Sequence, residues 1–330
     1  MSHPSPGADP SGILGVATGY MAAKQLFAAS DTGVFAALAD GPATAAELAD
    51  RAGLPQRSAR ILADAMASLG LLTREDGRYA NTEATAAYLA GAEGGIDLRP
   101  FLAFLEAISY PHWLEFGATA RSAEPQPLDF GGDRMQEFMT GVMTYNALHA
   151  KMLADNFDFT PFSRILDFGG LSAAFLVEAL KTTDKAHGTF VGPGDFTGLA
   201  RTAFEEAGFG DRSEVVDSDP LTGDLPDGFD CVLLEHVVHR FDAEQNKTLI
   251  KKAREAAAPG ATLVLLDFFL DDDPEQRVLD ALHAGEYLVI DGTVVYPESE
   301  VRGWLSDAGW EPVETRALPG SPRIIIAEAR

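Results

Sequence analysis

His236 and His239 come closest, by residue type and spacing, to a metal-binding pattern in this chain. Imidazole nitrogens bind transition metals, and Asp242 follows nearby with a carboxylate. The stretch crosses the predicted end of a strand, so these side chains need not share a direction. Two histidines without a clear third protein ligand are a weak pattern, and we predict that the chain holds no metal.

Other histidines lie among aromatic and methionine side chains in predicted helices, mainly over residues 97–157. His149 and Tyr145 are four residues apart, which places both on one helix face, where they could contact a substrate together. Methionine and aromatic stripes are common in cores and also suit irregular ligands, so both alternatives stay open. The candidate pocket residues are Tyr110, Trp113, Phe116, Met139, Met143, Tyr145, His149, Met152 and His283, together with Val294 further along the chain.

After Pro161 the sequence alternates apolar runs with helical patterns, which indicates a parallel sheet built from crossover units. A glycine turn, Gly169-Gly170, follows the first of these strands. The last two strands are separated by a Pro-Gly-Ser-Pro turn, which predicts a closing hairpin. The pattern predicts strands over residues 164–168, 189–191, 214–216, 230–235, 261–269, 311–318 and 323–328, and helices over residues 173–181, 197–207 and 243–258.

The N-terminal part has the pattern helix, turn, helix and hairpin, which is typical of a winged helix. Thr44 and Glu47 have capping-box spacing, and Asp76-Gly77 is a hairpin turn. The second helix offers only Arg57 and Arg60 to DNA, so we expect a dimerisation or packing module.

We predict an α/β protein with a Rossmann-like, doubly wound, mostly parallel sheet and an N-terminal all-α winged-helix domain. The predicted divisions are a disordered tail (residues 1–12), the winged-helix domain (residues 13–95), linking helices (residues 96–160) and the Rossmann-like domain (residues 161–330).

The composition limits the classes of partner. The chain has 330 residues, with 25 Lys+Arg against 50 Asp+Glu and a net charge of −25, which argues against nucleic acid and anionic membranes as partners. Cys231 is the single cysteine and cannot form an intrachain disulfide. The N-terminus lacks a signal-peptide pattern, and no apolar run reaches membrane-spanning length, so we expect a cytoplasmic protein.

Several stretches, in order along the chain, resemble the two-domain small-molecule O-methyltransferases of natural-product pathways. They include Ile-Leu-Asp-Phe-Gly-Gly at residues 165–170, Leu-Leu-Glu-His-Val-Val-His at residues 233–239 and Pro-Gly before Leu-Val-Leu-Leu-Asp at residues 259–267. The resemblance implies a winged-helix homodimer, S-adenosylmethionine at the carboxyl ends of the strands, and a hydrophobic acceptor roofed by the linking helices.

The same resemblance assigns roles to individual residues. His239 matches the family's general base, which takes the acceptor hydroxyl proton, and Asp267 matches an acid that orients this base. In the cofactor motif, Asp167 and Gly169 match, with Gly170 beside them, and Asp219 matches the acid that contacts adenine.

Four positions depart from the family pattern at the implied cleft. Leu171 replaces a motif glycine, Val191 replaces the acid that binds the ribose hydroxyls, and Val294 replaces a second acid that orients the base. Glu235 stands where plant members often carry a lysine near the cofactor. Lost polar contacts commonly cost about 1–3 kcal/mol each, so we expect S-adenosylmethionine to bind weakly or not at all, with no other cofactor.

Three hypotheses follow. The first is a secondary-metabolite, antibiotic-type tailoring enzyme that performs S-adenosylmethionine-independent acid-base chemistry on a hydrophobic small molecule, such as cyclisation, isomerisation, elimination or decarboxylation. In it His239 transfers protons, Asp267 orients it and Glu235 is a second candidate acid or base. The second is a divergent O-methyltransferase for an aromatic or polyketide-like hydroxyl with His239 as base. The third is a non-catalytic binding or dimer-partner protein.

Overall fold

A computed structural model describes residues 8–92, 94–125, 127, 131–272 and 276–330. The chain divides into two compact units, one formed by residues 1–110 and 131–144, the other by residues 111–130 and 145–330. Helix α1 (Ser11–Asp31) begins inside the predicted tail, whose first seven residues lie outside the described part of the chain.

The first unit is mostly helical, and its local structure follows from turn and capping chemistry. The Glu47 amide donates to the Thr44 hydroxyl at 3.3 Å and the Thr44 amide donates to the Glu47 carboxylate at 2.7 Å, so the capping box starts α2. Gly53, at φ +65°, ends that helix. The unit contains α2 (Ala45–Ala52), α3 (Gln56–Ser68), α4 (Glu83–Tyr88), α5 (Arg99–Phe104) and the first part of α8 (Arg134–Asn156).

A small antiparallel sheet completes the predicted helix-turn-helix and wing. Its strands β1 (Ala43–Thr44), β2 (Leu72–Glu75) and β3 (Arg78–Asn81) pair in the order β1-β3-β2. Asp76 and Gly77 both have positive φ, as a two-residue hairpin turn requires. The predicted winged helix is confirmed: the first unit is mostly helical, and the small sheet contains the predicted hairpin.

The second unit is an α/β domain around a seven-stranded sheet of order β6-β5-β4-β7-β8-β10-β9. All pairings from β6 to β8 are parallel, and β10 pairs antiparallel with β8 and β9. The strands are β4 (Arg164–Phe168), β5 (His187–Gly192), β6 (Ser213–Asp217), β7 (Phe229–Glu235), β8 (Ala257–Asp267), β9 (Trp310–Ala317) and β10 (Arg323–Ala329). The predicted doubly wound sheet is therefore confirmed.

Helices accompany this sheet largely where the pattern predicted them. One prediction was wrong at its end: α11 stops at Ala256 rather than residue 258, because Ala257 already pairs with Phe229 as the start of β8. The helices of this unit are α6 (Tyr110–Leu114), α7 (Phe116–Ser122), the last part of α8, α9 (Ala174–Lys181), α10 (Gly194–Glu206), α11 (Ala243–Ala256), α12 (Val278–Ile290) and α13 (Glu298–Asp307). Among the described residues we find no helix with the length and hydrophobicity needed to cross a bilayer.

The sheet has an apolar core on each face, because successive side chains of a strand point to opposite sides. Leu234 belongs to one buried cluster and its neighbour Leu233 to the other. Strand β4 has β5 and β6 on one side and β7, β8, β10 and β9 on the other. The order therefore reverses between β4 and β7, and their carboxyl ends flank the crevice where such folds bind ligands.

Candidate active site

His239 and Asp267 form a hydrogen-bonded pair at the carboxyl edge of the sheet. Asp267 ends β8, while His239 lies in the short turn that follows β7, and the two strands are parallel neighbours. The Nδ1 atom of His239 lies 3.0 and 3.1 Å from the two Asp267 oxygens. The backbone amides of His239 and Phe268 also donate to this carboxylate, at 3.2 and 2.9 Å.

These contacts determine what the histidine can do. Burial opposes ionisation of Asp267, yet the attraction and hydrogen bond of His239 hold the pKa of that carboxyl below its usual value. A charged Asp267 accepts the Nδ1 proton, which leaves the Nε2 lone pair of a neutral His239 to take up another proton. Tyr287 stacks on the imidazole with 4.3 Å between ring centroids and restricts its tilt.

A second histidine pair lies beside the first. His149 Nδ1 is 2.8 Å from His236 Nε2, and the His236 backbone, at φ +52°, turns the chain out of β7. Burial is the main cause that lowers the pKa of His149 well below its ordinary value and that of His236 to about 4. Both rings are therefore neutral around pH 7.

His283 and Tyr145 extend this aromatic cluster. The Nδ1 atom of His283 lies 2.8 Å from the Leu279 carbonyl oxygen, so it carries the proton, and Nε2 accepts from the Tyr145 hydroxyl at 3.2 Å. Phe268 stacks on His283 with 3.8 Å between centroids. Tyr145 and His149 contact each other along α8, as their spacing predicted.

The described residues contain one grouping whose ligand atoms all lie within 4.8 Å, His236, His239 and Asp267. Its donor atoms already have partners: each Asp267 oxygen accepts from His239 Nδ1 and from a backbone amide, and His236 Nε2 faces His149. Since a metal would have to displace these bonds, we make no metal assignment.

Asp167 and Glu235 form a second feature of the same edge, a pair of buried acids on adjacent strands. Asp167 lies in β4, Glu235 ends β7, and no oxygen of either carboxyl has a hydrogen-bond partner among the described residues. Burial raises the pKa of Asp167 to about 8 and that of Glu235 well above its usual value, with Asp167 adding repulsion. A Cβ at Gly170 would lie 3.2 Å from one Asp167 oxygen.

The glycine turn after β4 adopts the conformation that its sequence suggests. Gly169 has φ +82°, and its carbonyl oxygen accepts from Arg240 at 2.9 Å. Leu171 is half-buried at this turn. Val191, which the sequence places where the family has an acid, has no exposed surface and packs in the core cluster.

Two further predicted residues lie at the surface. Asp219 is exposed, and one of its oxygens accepts from the Leu221 and Thr222 amides, which closes its own turn. Val294 is 49% exposed, but its amide donates to the His239 carbonyl oxygen at 3.3 Å. The segment that contains Val294 is therefore attached to the His239 segment through a backbone hydrogen bond.

Trp113 lies directly against α12. Its indole N–H donates to Glu286, and a Cβ at Gly285 would come within 2.7 Å of the Trp113 ring. Phe116 contacts the same indole with 4.7 Å between centroids. Close packing of these helices thus depends on glycine at position 285.

We expect Gly285→Ala to lower the free energy of unfolding by about 1–3 kcal/mol, because the added methyl overlaps the indole. Gly303→Ala in α13 is the matched control: nothing lies within 4 Å of its Cβ position, so helix propensity should raise stability by about 0.5–1 kcal/mol. Denaturant melts and Trp fluorescence measure both. Equal effects of the two variants would contradict the contact.

The remaining pocket candidates divide between the two units. Met152 is partly buried and packs against a core cluster of the second unit, which favours the core alternative for this methionine. Tyr110, Met139 and Met143 belong to the first unit. Tyr110 there lies under the Lys24 ammonium, 4.7 Å from its ring centroid.

Sequence reasoning did not select Tyr287, Phe268 or Asp217, and it considered His236 only as a metal ligand. Tyr287 lies four residues after His283, a spacing that could have drawn attention to one helix face. Asp217 is in register with Gly192 at the ends of β6 and β5. No local signal identifies Phe268, which depends on tertiary packing.

Comparisons with known proteins agree with this geometry. A family model of an O-methyltransferase dimerisation domain matches residues 14–91, and one of an O-methyltransferase domain matches residues 116–311. The chain is 32% identical to the 3-hydroxy-5-methyl-1-naphthoate 3-O-methyltransferase of Streptomyces sahachiroi, over 96% of this chain and 94% of that one. It is 26% identical to the tetracenomycin polyketide synthesis 8-O-methyltransferase TcmO of Streptomyces glaucescens, over 96% of each.

A solved structure, the apo form of the S-adenosylmethionine-dependent methyltransferase SibL, superimposes with a TM-score of 0.84 and 28% identity, over 97% of this chain and 99% of that one. The expected resemblance is confirmed. The hypothesis of chemistry without S-adenosylmethionine is not supported, and the alternative of a divergent methyltransferase fits the relatives better. The chain belongs to the O-methyltransferase family, with a dimerisation domain followed by the methyltransferase domain.

Proposed function

We propose that this protein is an S-adenosylmethionine-dependent O-methyltransferase of secondary metabolism that methylates a hydroxyl of an aromatic, polyketide-like small molecule. The observation that carries the proposal is the His239–Asp267 pair, in which a buried carboxylate holds the imidazole in the tautomer that can accept a proton. The names of the two Streptomyces relatives support the reaction and the aromatic substrate class.

The residues present fit S-adenosylmethionine at its charged end. The cofactor carries an ammonium and a sulfonium, and the orphaned Asp167 and Glu235 carboxyls beside the bare backbone of Gly170 offer acceptor oxygens for a cation. At the ribose, Val191 supplies no carboxylate, and we assign that contact to Asp217, which lies beside Gly194 at the neighbouring strand end. Gly169 and Gly170 would lie along the cofactor between its charged end and its ribose, with Leu171 at the margin of the site.

When bound, S-adenosylmethionine supplies an electrophilic methyl group. His239 accepts the proton of the acceptor hydroxyl at Nε2, and the positive charge it gains lies against Asp267. The two backbone amides on Asp267 keep this carboxylate in place during the transfer. Tyr287 keeps the imidazole plane fixed. Proton removal by a positioned base contributes about 10²–10⁴-fold to rate.

The surroundings of this base favour a flat aromatic acceptor. His236 offers an uncharged ring next to it, in contact with the buried rings of His149 and Phe268. Tyr145 and Tyr287 stay protonated because burial raises the pKa of each phenol. Uncharged, closely packed rings bind flat aromatic ligands through stacking and apolar contact.

The test combines the purified protein and S-adenosylmethionine with hydroxynaphthoates and the matching aminonaphthoates, followed by mass spectrometry of the products. We expect one methyl group to be added to the hydroxy compounds and none to the amino compounds. Binding of S-adenosylhomocysteine is measured by calorimetry in parallel. Absence of both binding and methyl transfer would overturn the proposed function.

We also propose that the protein works as a homodimer through its N-terminal unit, with the domain boundaries predicted from the sequence. The family model of a dimerisation domain supports this. Helix α1 exposes a row of apolar side chains that a single chain leaves in water. They are Ile13, Leu14, Val16, Tyr20 and Met21.

We expect Val16→Glu to convert a dimer into a monomer, since it places a charge within this apolar surface. Light scattering after gel filtration measures the mass. Val313→Glu is the matched control, because Val313 is 50% exposed on the edge strand β9. A dimer that survives Val16→Glu would contradict the assignment of α1 to the interface.

A further inference from the structure

His236 has an uncommon backbone conformation for a residue that carries a side chain. It directly follows β7 with φ +52°, in the left-handed region, where residues other than glycine are rare and strained. Its amide donates to the Leu266 carbonyl oxygen at 2.9 Å, which fixes this turn at the carboxyl edge of the sheet. Glycine would adopt the same turn without strain, so the imidazole at this position requires an explanation of its own.

The two ring nitrogens of His236 have different surroundings. Nε2 lies 2.8 Å from His149 Nδ1. Nδ1 has no hydrogen-bond partner among the described residues, and it is not one of the buried polar atoms that lack a partner, so it has accessible surface. The residue as a whole is half-buried. A ligand at this edge of the sheet can therefore reach Nδ1.

His149 determines which nitrogen of His236 carries the proton. His149 Nε2 is buried and has no hydrogen-bond partner in the part of the chain that the structure describes. Because a buried N–H without an acceptor is rarer than a buried acceptor without a donor, His149 carries its proton at Nδ1 and donates it to His236 Nε2. Burial lowers the pKa of His236 to about 4, so this ring is neutral and keeps its own proton at Nδ1. His236 thus presents an N–H donor.

This donor lies beside the proposed base. The rings of His236 and His239 are 6.1 Å apart between centroids and inclined by 73° to each other, and both residues belong to the turn that follows β7. Phe175 and Phe268 flank His236, with ring centroids 6.1 and 6.2 Å away. A ligand whose hydroxyl faces His239 therefore has the His236 donor close to that hydroxyl rather than at its far end.

We propose that His236 determines acceptor specificity by donating from Nδ1 to an oxygen of a carbonyl or carboxylate group that is ortho or peri to the reacting hydroxyl of the acceptor. The inference rests on the proposed function and narrows its substrate class to aromatic hydroxyls that have such an oxygen beside them.

The chemistry of these acceptors gives the donor a purpose. A hydroxyl beside a carbonyl oxygen donates to that oxygen within the same molecule, which keeps its proton away from an external base. An N–H that donates to the carbonyl oxygen competes with the internal hydrogen bond. The hydroxyl proton then becomes free to turn towards His239 Nε2, which removes it as the oxygen attacks the methyl group.

The test compares position isomers with S-adenosylmethionine as the methyl donor. 2-Acetyl-1-naphthol has its carbonyl next to the hydroxyl, and 4-acetyl-1-naphthol carries the same group across the ring. We expect the wild type to favour the 2-acetyl isomer by at least about tenfold in kcat/KM. Calorimetric binding of both isomers to protein saturated with S-adenosylhomocysteine should show the same preference. 1-Hydroxy-2-naphthoate and 4-hydroxy-1-naphthoate repeat the comparison with a carboxylate and distinguish the two sources of the oxygen.

His236→Phe tests the residue, since it keeps a ring but removes the donor. We expect the ratio between the two isomers to fall to about one, whereas a merely structural effect would lower the rates with both isomers by the same factor. His236→Asn supplies a side-chain N–H and tolerates positive φ, so it should recover part of the preference. His187→Phe, at an exposed position at the start of β5, is the matched control and should keep the wild-type ratio.

The outcomes separate this inference from the proposed function. Equal use of the isomers by the wild type, or an unchanged ratio in His236→Phe, overturns the role of His236 and leaves the methyltransferase intact. A binding preference that occurs without methyl transfer supports the donor and counts against the proposed reaction. If neither the naphthols nor S-adenosylhomocysteine bind, both are overturned.

Discussion

His239→Ala is expected to lower kcat by about 10²–10⁴-fold while the affinity for S-adenosylhomocysteine stays within a fewfold of the wild-type value. The variant removes the atom that accepts the hydroxyl proton, whereas Asp167, which we propose for the charged end of the cofactor, lies on a different strand, β4. Steady-state kinetics with a hydroxynaphthoate and calorimetry with the cofactor product measure the two quantities separately.

His187→Ala is the matched control, because His187 is exposed at the start of β5, at the opposite end of that strand from the site. It should leave kcat unchanged. If His239→Ala keeps more than about a tenth of wild-type kcat, proton removal by His239 is not part of the rate-limiting chemistry. Thermal melts of His239→Ala show whether the variant is folded, so that a loss of folded protein is not mistaken for a loss of kcat.

The ligand-free protein is expected to lose thermal stability as pH rises from about 5 to about 8.5, and Glu235→Gln should reduce that loss. The folded-state pKa of Asp167 is raised to about 8, above its usual value of 3.8, and that of Glu235 is also raised. A carboxyl with a higher pKa in the folded state than in the unfolded state favours folding as long as it is protonated. This contribution to stability is complete below the unfolded-state pKa and is lost as pH rises through the folded-state pKa.

Glu235→Gln removes one of the two acids without changing its size, so its melting temperature at about pH 8.5 should exceed that of the wild type by at least about 2–4 °C. The difference should shrink towards pH 5, where the wild-type pair is protonated. Glu328→Gln, at an exposed position, should follow the wild type at every pH. Parallel pH profiles for wild type and Glu235→Gln would contradict the burial of an unpaired acid.

Local sequence signals predicted the elements of this fold well where a turn or cap has its own chemistry. The spacing of Thr44 and Glu47 predicted the start of α2, Asp76-Gly77 predicted the hairpin of the wing, and Gly169 predicted the turn after β4. The end of α11 was placed two residues late because Pro259-Gly260 looks like a stop, while strand pairing from Ala257 ended the helix earlier.

The site was less predictable, because its contacts join residues that are distant in sequence. The His239–Asp267 pair was expected through resemblance, but nothing local in the chain joins His149 to His236 across 87 positions. Val191 was identified as a lost acid, yet whether it faces a ligand or the core depends on strand register and tertiary packing. Leu171 and Glu235 also suggested a rebuilt cofactor site, whereas our proposal for the cofactor uses the paired carboxyls, which local sequence does not bring together.

The carboxylate of Asp267 is anchored by main-chain amides, those of His239 and Phe268, as well as by the imidazole. Main-chain donors exist whatever side chains surround them. The rings around the base, such as His283 and Tyr145, can therefore be exchanged for side chains of other shapes without removing the anchor of the base. Under the proposed function, we therefore expect that acceptor specificity can be changed at the rings while the His239–Asp267 pair is left in place.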